Sequence, residues 1–134
     1  MNLATRTEKL SNQLTKRMAT LEKIEGKIQR LKFTVRSAKS LDRAYTSTLA
    51  LGKKLSRQQL EAELLYIRIR RLQWDIQEQN VEDTAQEKIR ELLKGLDRLQ
   101  WDIEKVFTTL RRVQGDFQAL ELDIQDLRDE SPEE

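Results

Sequence analysis

The chain has 134 residues, of which 37% are hydrophobic, 36% charged and only 5% aromatic, with no cysteine, no histidine and a single proline, Pro132. This balance favours elongated helices over a thick globular core; it excludes disulfides and thiolate metal sites, and removes the commonest general base and zinc ligand. The formal charge of +2 hides a division, because residues 1–71 carry 17 Lys or Arg against 6 Asp or Glu and residues 72–134 carry 8 against 17.

The start, Met1-Asn2-Leu3-Ala4-Thr5-Arg6, has neither an apolar leader core nor a Gly at position 2 for myristoylation. The longest apolar run, Leu64-Leu65-Tyr66-Ile67, falls far short of the roughly 20 residues of a membrane span. A soluble, intracellular and cytoplasmic protein is the expectation.

The first helix is predicted over about residues 3–51. Its seam reads Leu10, Leu14, Arg17, Leu21, Ile24, Ile28, Leu31, Val35, Ala38, Asp42, Tyr45 and Leu49, in the alternating three and four spacing of a coiled coil. Arg17 and Asp42 break the apolar rule, and Ser37 to Ser40 is the weakest stretch, the place for a bend or a division. Gly52-Lys53-Lys54 has the composition of a helix end.

Ser56-Arg57-Gln58-Gln59 then reads as a capping box opening a second helix over about 57–79. This helix has two apolar stripes, Ala62, Leu65, Ile69, Leu72 and Ile76 on one face and Leu60, Leu64, Ile67 and Trp74 on another. A helix apolar on two faces is expected to lie between neighbours.

Asn80-Val81-Glu82-Asp83 is the clearest turn signal, with Thr84-Ala85-Gln86-Glu87 as a second capping box. The third helix, about 85–128, carries the strongest pattern of all. Ile89, Leu92, Leu96, Leu99, Ile103, Val106, Leu110, Val113, Phe117, Leu120, Ile124 and Leu127 follow the repeat without one polar residue. Residues 129–134 form an acidic tail with nothing to bury and are expected to be disordered.

Short connections make neighbouring helices antiparallel. The fold class expected is therefore all-α, an elongated antiparallel three-helix bundle or coiled coil forming a single domain over 1–128. It would have two long outer helices and one short middle helix. A middle helix half as long as its neighbours would leave half of each outer seam bare, and monomers avoid such strips. Those free halves, Leu10, Leu14 and Leu21 on one side and Leu110, Val113, Phe117, Leu120 and Ile124 on the other, are the expected partner-binding residues.

A hexapeptide occurs twice, as Arg71-Leu72-Gln73-Trp74-Asp75-Ile76 and as Arg98-Leu99-Gln100-Trp101-Asp102-Ile103. In both copies Leu and Ile fall on the seam while Trp falls at the outward heptad position. The two tryptophans either fill the core of a bundle of three or more helices, which is the plainer expectation, or anchor a partner. Trp101 is the better partner-binding candidate, since charged residues surround it and Leu93 and Phe107 widen the same helix's apolar face.

The run Glu91-Leu92-Leu93-Lys94-Gly95-Leu96-Asp97, followed by Arg111-Arg112-Val113, is similar to a BAG domain, the three-helix Hsp70 co-chaperone module. The similarity covers a minor part of the chain. That family turns between helices after the Leu-Asp pair, whereas this heptad continues, so no functional residue is carried over.

Nothing in the sequence assembles a catalytic site. Gly26, Gly52, Gly95 and Gly115 stand alone, without a phosphate-cradling loop, and acidic pairs such as Asp123 and Asp126 lie on solvated helix faces. No cofactor, metal or small-molecule substrate is expected. The expected function is a non-catalytic protein–protein interaction module, a scaffold or adaptor working through helix association with itself or with a helical partner. The alternative is an electrostatic binder of nucleic acid or anionic membrane through the basic N-terminal half, with Arg68, Arg70 and Arg71 as its basic patch. A BAG-like co-chaperone is a more remote reading.

Overall fold

The structure, a computed structural model, describes residues 2–35, 41–81 and 86–130. Three helices account for nearly all of them, α1 (Leu3–Thr34), α2 (Leu41–Val81) and α3 (Gln86–Glu130), and no strand occurs among the described residues. The protein is an all-α helical bundle. Ala38, the weak stretch at 37–40, the turn at 80–83 and the second capping box fall wholly or mainly outside the described residues or their side chains, as do residues 131–134 of the expected tail. Asp129 and Glu130 are the last residues of α3 and so belong to a helix.

Helix boundaries differ from expectation in the first half of the chain. α1 has 32 residues, α2 has 41 and α3 has 45, so the middle helix is not the short one. No stop operates at Gly52-Lys53-Lys54, and Ser56 lies inside a helix instead of capping one. The physical reason is a seam that polar residues disguise. Ala44, Thr48, Leu51, Leu55, Gln58, Ala62, Leu65, Ile69, Leu72 and Ile76 are all buried, at unbroken four and three spacing. Thr48 tolerates its place because its hydroxyl donates to the Ala44 carbonyl at 2.7 Å. Asp42, Tyr45 and Leu49, expected on the seam, are exposed, and Arg128 lies 4.2 Å from the Tyr45 ring centroid.

Gly52 has a packing reason. A Cβ there would stand 3.1 Å from the ring of Phe117, so the missing side chain makes room for the aromatic one. Gly95 is similar, with Thr7 Cγ2 only 2.9 Å from where its Cβ would be, whereas Gly26 and Gly115 face open space.

Packing divides the chain into two compact units, and each unit draws on all three helices. The first comprises Met1–Met18 and Leu60–Thr108. Its core holds Leu10 and Leu14 of α1, Leu65, Ile69, Leu72 and Ile76 of α2, and Leu96, Leu99, Ile103 and Val106 of α3. Arg6 reaches Asp75 at 2.6 Å, Gln100 donates to Gln73 at 3.4 Å, and Tyr66 meets Phe107 edge-on at 6.1 Å between centroids.

The second unit comprises Ala19–Gln59 and Thr109–Glu134. Leu21, Ile24 and Ile28 pack there with Leu51, Leu55, Leu110, Val113, Leu120 and Ile124. Arg112 bonds Glu25 at 2.8 Å and Gln114 donates to Gln59 at 3.0 Å. Among the described residues, no buried side-chain nitrogen or oxygen lacks a partner.

Candidate docking surface

The seam that builds the core also determines what is left outside. On α2 the buried positions at 62, 65, 69, 72 and 76 place 60, 64, 67, 71 and 74 on the opposite side of the helix, again at four and three spacing. Four of those five are large and apolar. Leu60 is 62% exposed, Leu64 48%, Ile67 61% and Trp74 64%, and Arg71 completes the row. From Leu60 to Trp74 the row is about 21 Å long. The second stripe of this helix is therefore bare, contrary to the expectation that a neighbour in the same chain covers it. All five residues lie in the first unit.

Trp74 is held in place, its indole N–H donating to Glu78 Oε1 at 3.0 Å one turn on. With the polar edge satisfied, the ring presents apolar surface to a partner without an unmet donor. Trp101 is 61% exposed, so neither tryptophan fills the core. Its surroundings differ, however. Lys105 lies 5.3 Å from its ring centroid, and the positions continuing its face, Lys94, Arg98 and Lys105, are cationic. Leu93 is exposed and Phe107 half-buried against Tyr66, so no apolar row forms around Trp101.

The other expected partner-binding residues lie in the chain's own core. Leu10, Leu14, Leu21, Leu110, Val113, Leu120 and Ile124 are buried, and Phe117 is half-buried over Gly52. The correction follows from the length of α2. A 41-residue middle helix supplies the packing surface that a short one would have lacked in each unit, so no bare overhang remains along these residues.

Arg68, Arg70 and Arg71 are exposed, and α1 adds cations beside two of them. Arg68 and Arg71 of α2 join Arg6 and Lys9 of α1 around a depression of about 270 Å³ that Leu10 and Gln13 complete. Arg70 does not line it. Lys9, Arg68, Arg70 and Arg71 form no ion pair among the described residues, and Arg6 alone has one, to Asp75. Sequence reasoning placed Lys9 among the cations spread along the first helix but did not join it or Arg6 to the α2 arginines, because they are some 60 residues distant along the chain. Only knowledge of which α1 turn packs beside which α2 turn could have found them.

Within the second unit, Lys27, Arg30 and Lys54 surround another depression, of about 360 Å³. Hydrogen bonding with the Lys54 side chain, and then repulsion by that ammonium, lower the pKa of Lys27 from its ordinary value. A cavity of about 810 Å³ lies beside the start of α1 and is lined by Leu3, Arg6, Asp75, Lys88, Ile89 and Leu92 among others. No group of three potential metal ligands occurs among the described residues, and none of the helices is long and apolar enough to cross a membrane.

α3 continues unbroken through Leu96 and Asp97, where a BAG-like chain would turn. Comparison with protein-family models, with curated protein sequences and with solved structures finds no significant match for this chain.

Proposed function

We propose that the chain is a non-catalytic interaction module, a scaffold or adaptor subunit that associates with another helix through the outward face of α2. The observation that carries this reading is the bare row of Leu60, Leu64, Ile67 and Trp74. Scattered exposed hydrophobics are ordinary on any protein, but a continuous row at heptad spacing is the sequence requirement for packing against a helix. Its position opposite a complete core seam means that docking there needs no rearrangement of the bundle.

Within each unit the helices are proposed to run antiparallel where α2 meets α3. Partners step down α3 as they step up α2, Tyr66 with Phe107 and then Gln73 with Gln100 in the first unit, Tyr45 with Arg128 and then Gln59 with Gln114 in the second. Such an arrangement displays the outer face of α2 along its length.

The electrostatic alternative draws support from the two cationic depressions, at Arg6, Lys9, Arg68 and Arg71 and at Lys27, Arg30 and Lys54. One experiment separates the readings. In a Trp101→Phe background Trp74 is the sole tryptophan, and its emission reports on the row. We expect it to shift to the blue with at least one member of a panel of amphipathic helical peptides with acidic, neutral or basic flanks, or with rising protein concentration. Leu64→Asp with Ile67→Asp should abolish that response while leaving the far-ultraviolet circular dichroism unchanged. No shift with any peptide or with concentration, alongside retention on heparin that salt removes, would replace this reading with the electrostatic one.

A further inference from the structure

Resting on that reading, we propose that the occupant of the α2 row is an acidic amphipathic helix of about four turns, its carboxylates meeting Arg71 and the Arg6, Lys9 and Arg68 depression. Two features of the surface point to acid. The first is Arg71, which occupies the one charged position of a row whose other members, Leu60, Leu64, Ile67 and Trp74, are apolar. A residue at such a position faces the inner side of the partner helix and meets less water than a residue on the rim. A guanidinium there needs a carboxylate opposite it, because a desolvated charge left without a partner is costly. Arginine presents its donors as a fork that accepts a carboxylate in two parallel hydrogen bonds.

The second feature is the border of the row. Arg68 and Arg71 stand with Arg6 and Lys9 round one depression, and Asp75, bonded to Arg6, is the only carboxylate among the described residues paired with any of the four. The depression has Leu10, buried, as an apolar member. A groove with cationic walls beside an apolar row is complementary to a helix that carries acids along one border of its own apolar stripe.

The charge pattern also sets direction along the row. The end near Leu60 carries Glu61 and Glu63, whereas the stretch from Ile67 to Trp74 carries Arg68, Arg70 and Arg71, with Asp75 engaged by Arg6 and Glu78 by the Trp74 indole just beyond it. The partner's acids are therefore confined to the half of its helix that lies over residues 67–74.

A second copy of this chain fits less well. Paired parallel, Arg71 would meet its own counterpart inside the contact. Paired antiparallel about Ile67, Glu63 would reach the Arg70–Arg71 turn of the other copy, but Arg68 would lie beside its counterpart and Glu61 near Asp75. Like charges facing one another across a contact oppose association.

The test uses the full chain with Trp101→Phe and two synthetic helical peptides of about 18 residues, roughly 27 Å when helical. Both carry leucines at four and three spacing. One has glutamates, the other lysines, at the position facing Arg71 and along the adjacent border. The glutamate peptide is expected to shift Trp74 emission at least about tenfold more tightly than the lysine peptide. Arg71→Glu should weaken the glutamate peptide by a similar factor and strengthen the lysine peptide. That exchange is one that a purely structural role for Arg71 would not produce.

Equal affinity for the two peptides would overturn the acidic assignment. So would a single-stranded oligonucleotide that displaces the glutamate peptide and binds equally well after Ile67→Asp, since the surface would then be a polyanion site. A dimer by light scattering that Ile67→Asp converts to monomer would place a second copy on the row, sinking this inference while helix association stands. A monomer that responds to no peptide of any charge would remove both.

Discussion

The hexapeptide at 71–76 and its copy at 98–103 make a controlled comparison inside one molecule. Their inner residues behave alike: Leu72 and Ile76 are buried, as are Leu99 and Ile103. The two copies even meet, through Gln100 donating to Gln73. Their tryptophans point outward to nearly the same extent, 64% and 61% exposed. What separates them lies outside the motif. Trp74 continues a row with Leu60, Leu64 and Ile67, whereas Trp101 stands among Lys94, Arg98 and Lys105, with Lys105 over its ring. An exposed tryptophan is thus not by itself a docking site. Continuity of apolar surface at helical spacing is what distinguishes one copy from the other.

The largest effect tests the half of the comparison in which the copies agree. Leu72→Ala and Leu99→Ala each remove a fully buried side chain from the core of the first unit. Each should cost about 2–5 kcal/mol of stability in urea unfolding, the usual range for a leucine cavity that closes only in part. A cost under about 1 kcal/mol for one copy and not the other would break the equivalence of the two inner faces.

The next effect tests the half in which they differ. Trp74→Ala should weaken binding of the glutamate peptide by about tenfold or more, as truncation of a central aromatic anchor does. Trp101→Ala should change it less than about twofold. Neither should move stability by more than about 1 kcal/mol, since both rings are mainly solvated; Trp101 would lose only its cation–π contact with Lys105. Calorimetric titration of the two variants side by side, which needs no tryptophan reporter, decides the matter, and equal losses would mean that exposure, not continuity, is what a partner reads.

How much of this was legible in the sequence depended on where polar residues fell. The seam of α3 is apolar at all twelve positions, and each of them is buried or half-buried. The seam of α2 was hidden at its start because Thr48 and Gln58 occupy core positions while Tyr45 and Leu49, the more apolar choices, face outward. Gly52 looked like a stop, yet it serves the ring of Phe117, a contact between residues 65 positions apart that no local pattern records. The outward heptad place of both tryptophans could be counted off the sequence. Whether anything covered them could not, because that depends on the neighbours that packing brings, and the true length of α2 changed which faces were filled. The link between Arg6, Lys9 and the arginines of α2 was invisible for the same reason.

The smallest effect concerns the acid that both copies share. Asp75 accepts from Arg6 at 2.6 Å, with the two side chains 28% and 32% exposed, which places the pair at the rim and not in the core. An ion pair this accessible to water contributes little, because solvent and salt screen it and two long side chains must be held in one geometry. Asp75→Asn should therefore cost no more than about 1 kcal/mol, and a double-mutant cycle with Arg6→Gln should return a coupling of that size or less. Asp102→Asn is expected to cost less still. In 1 M salt the coupling should fall towards zero. If it persists there, the pair is better shielded than its exposure implies, and Arg6 is then held too firmly by Asp75 to turn towards an incoming carboxylate. The cationic border would in that case rest on Lys9, Arg68 and Arg71 alone. Arg6→Gln would leave affinity for the glutamate peptide unchanged, while Arg71→Glu would still reverse its charge preference.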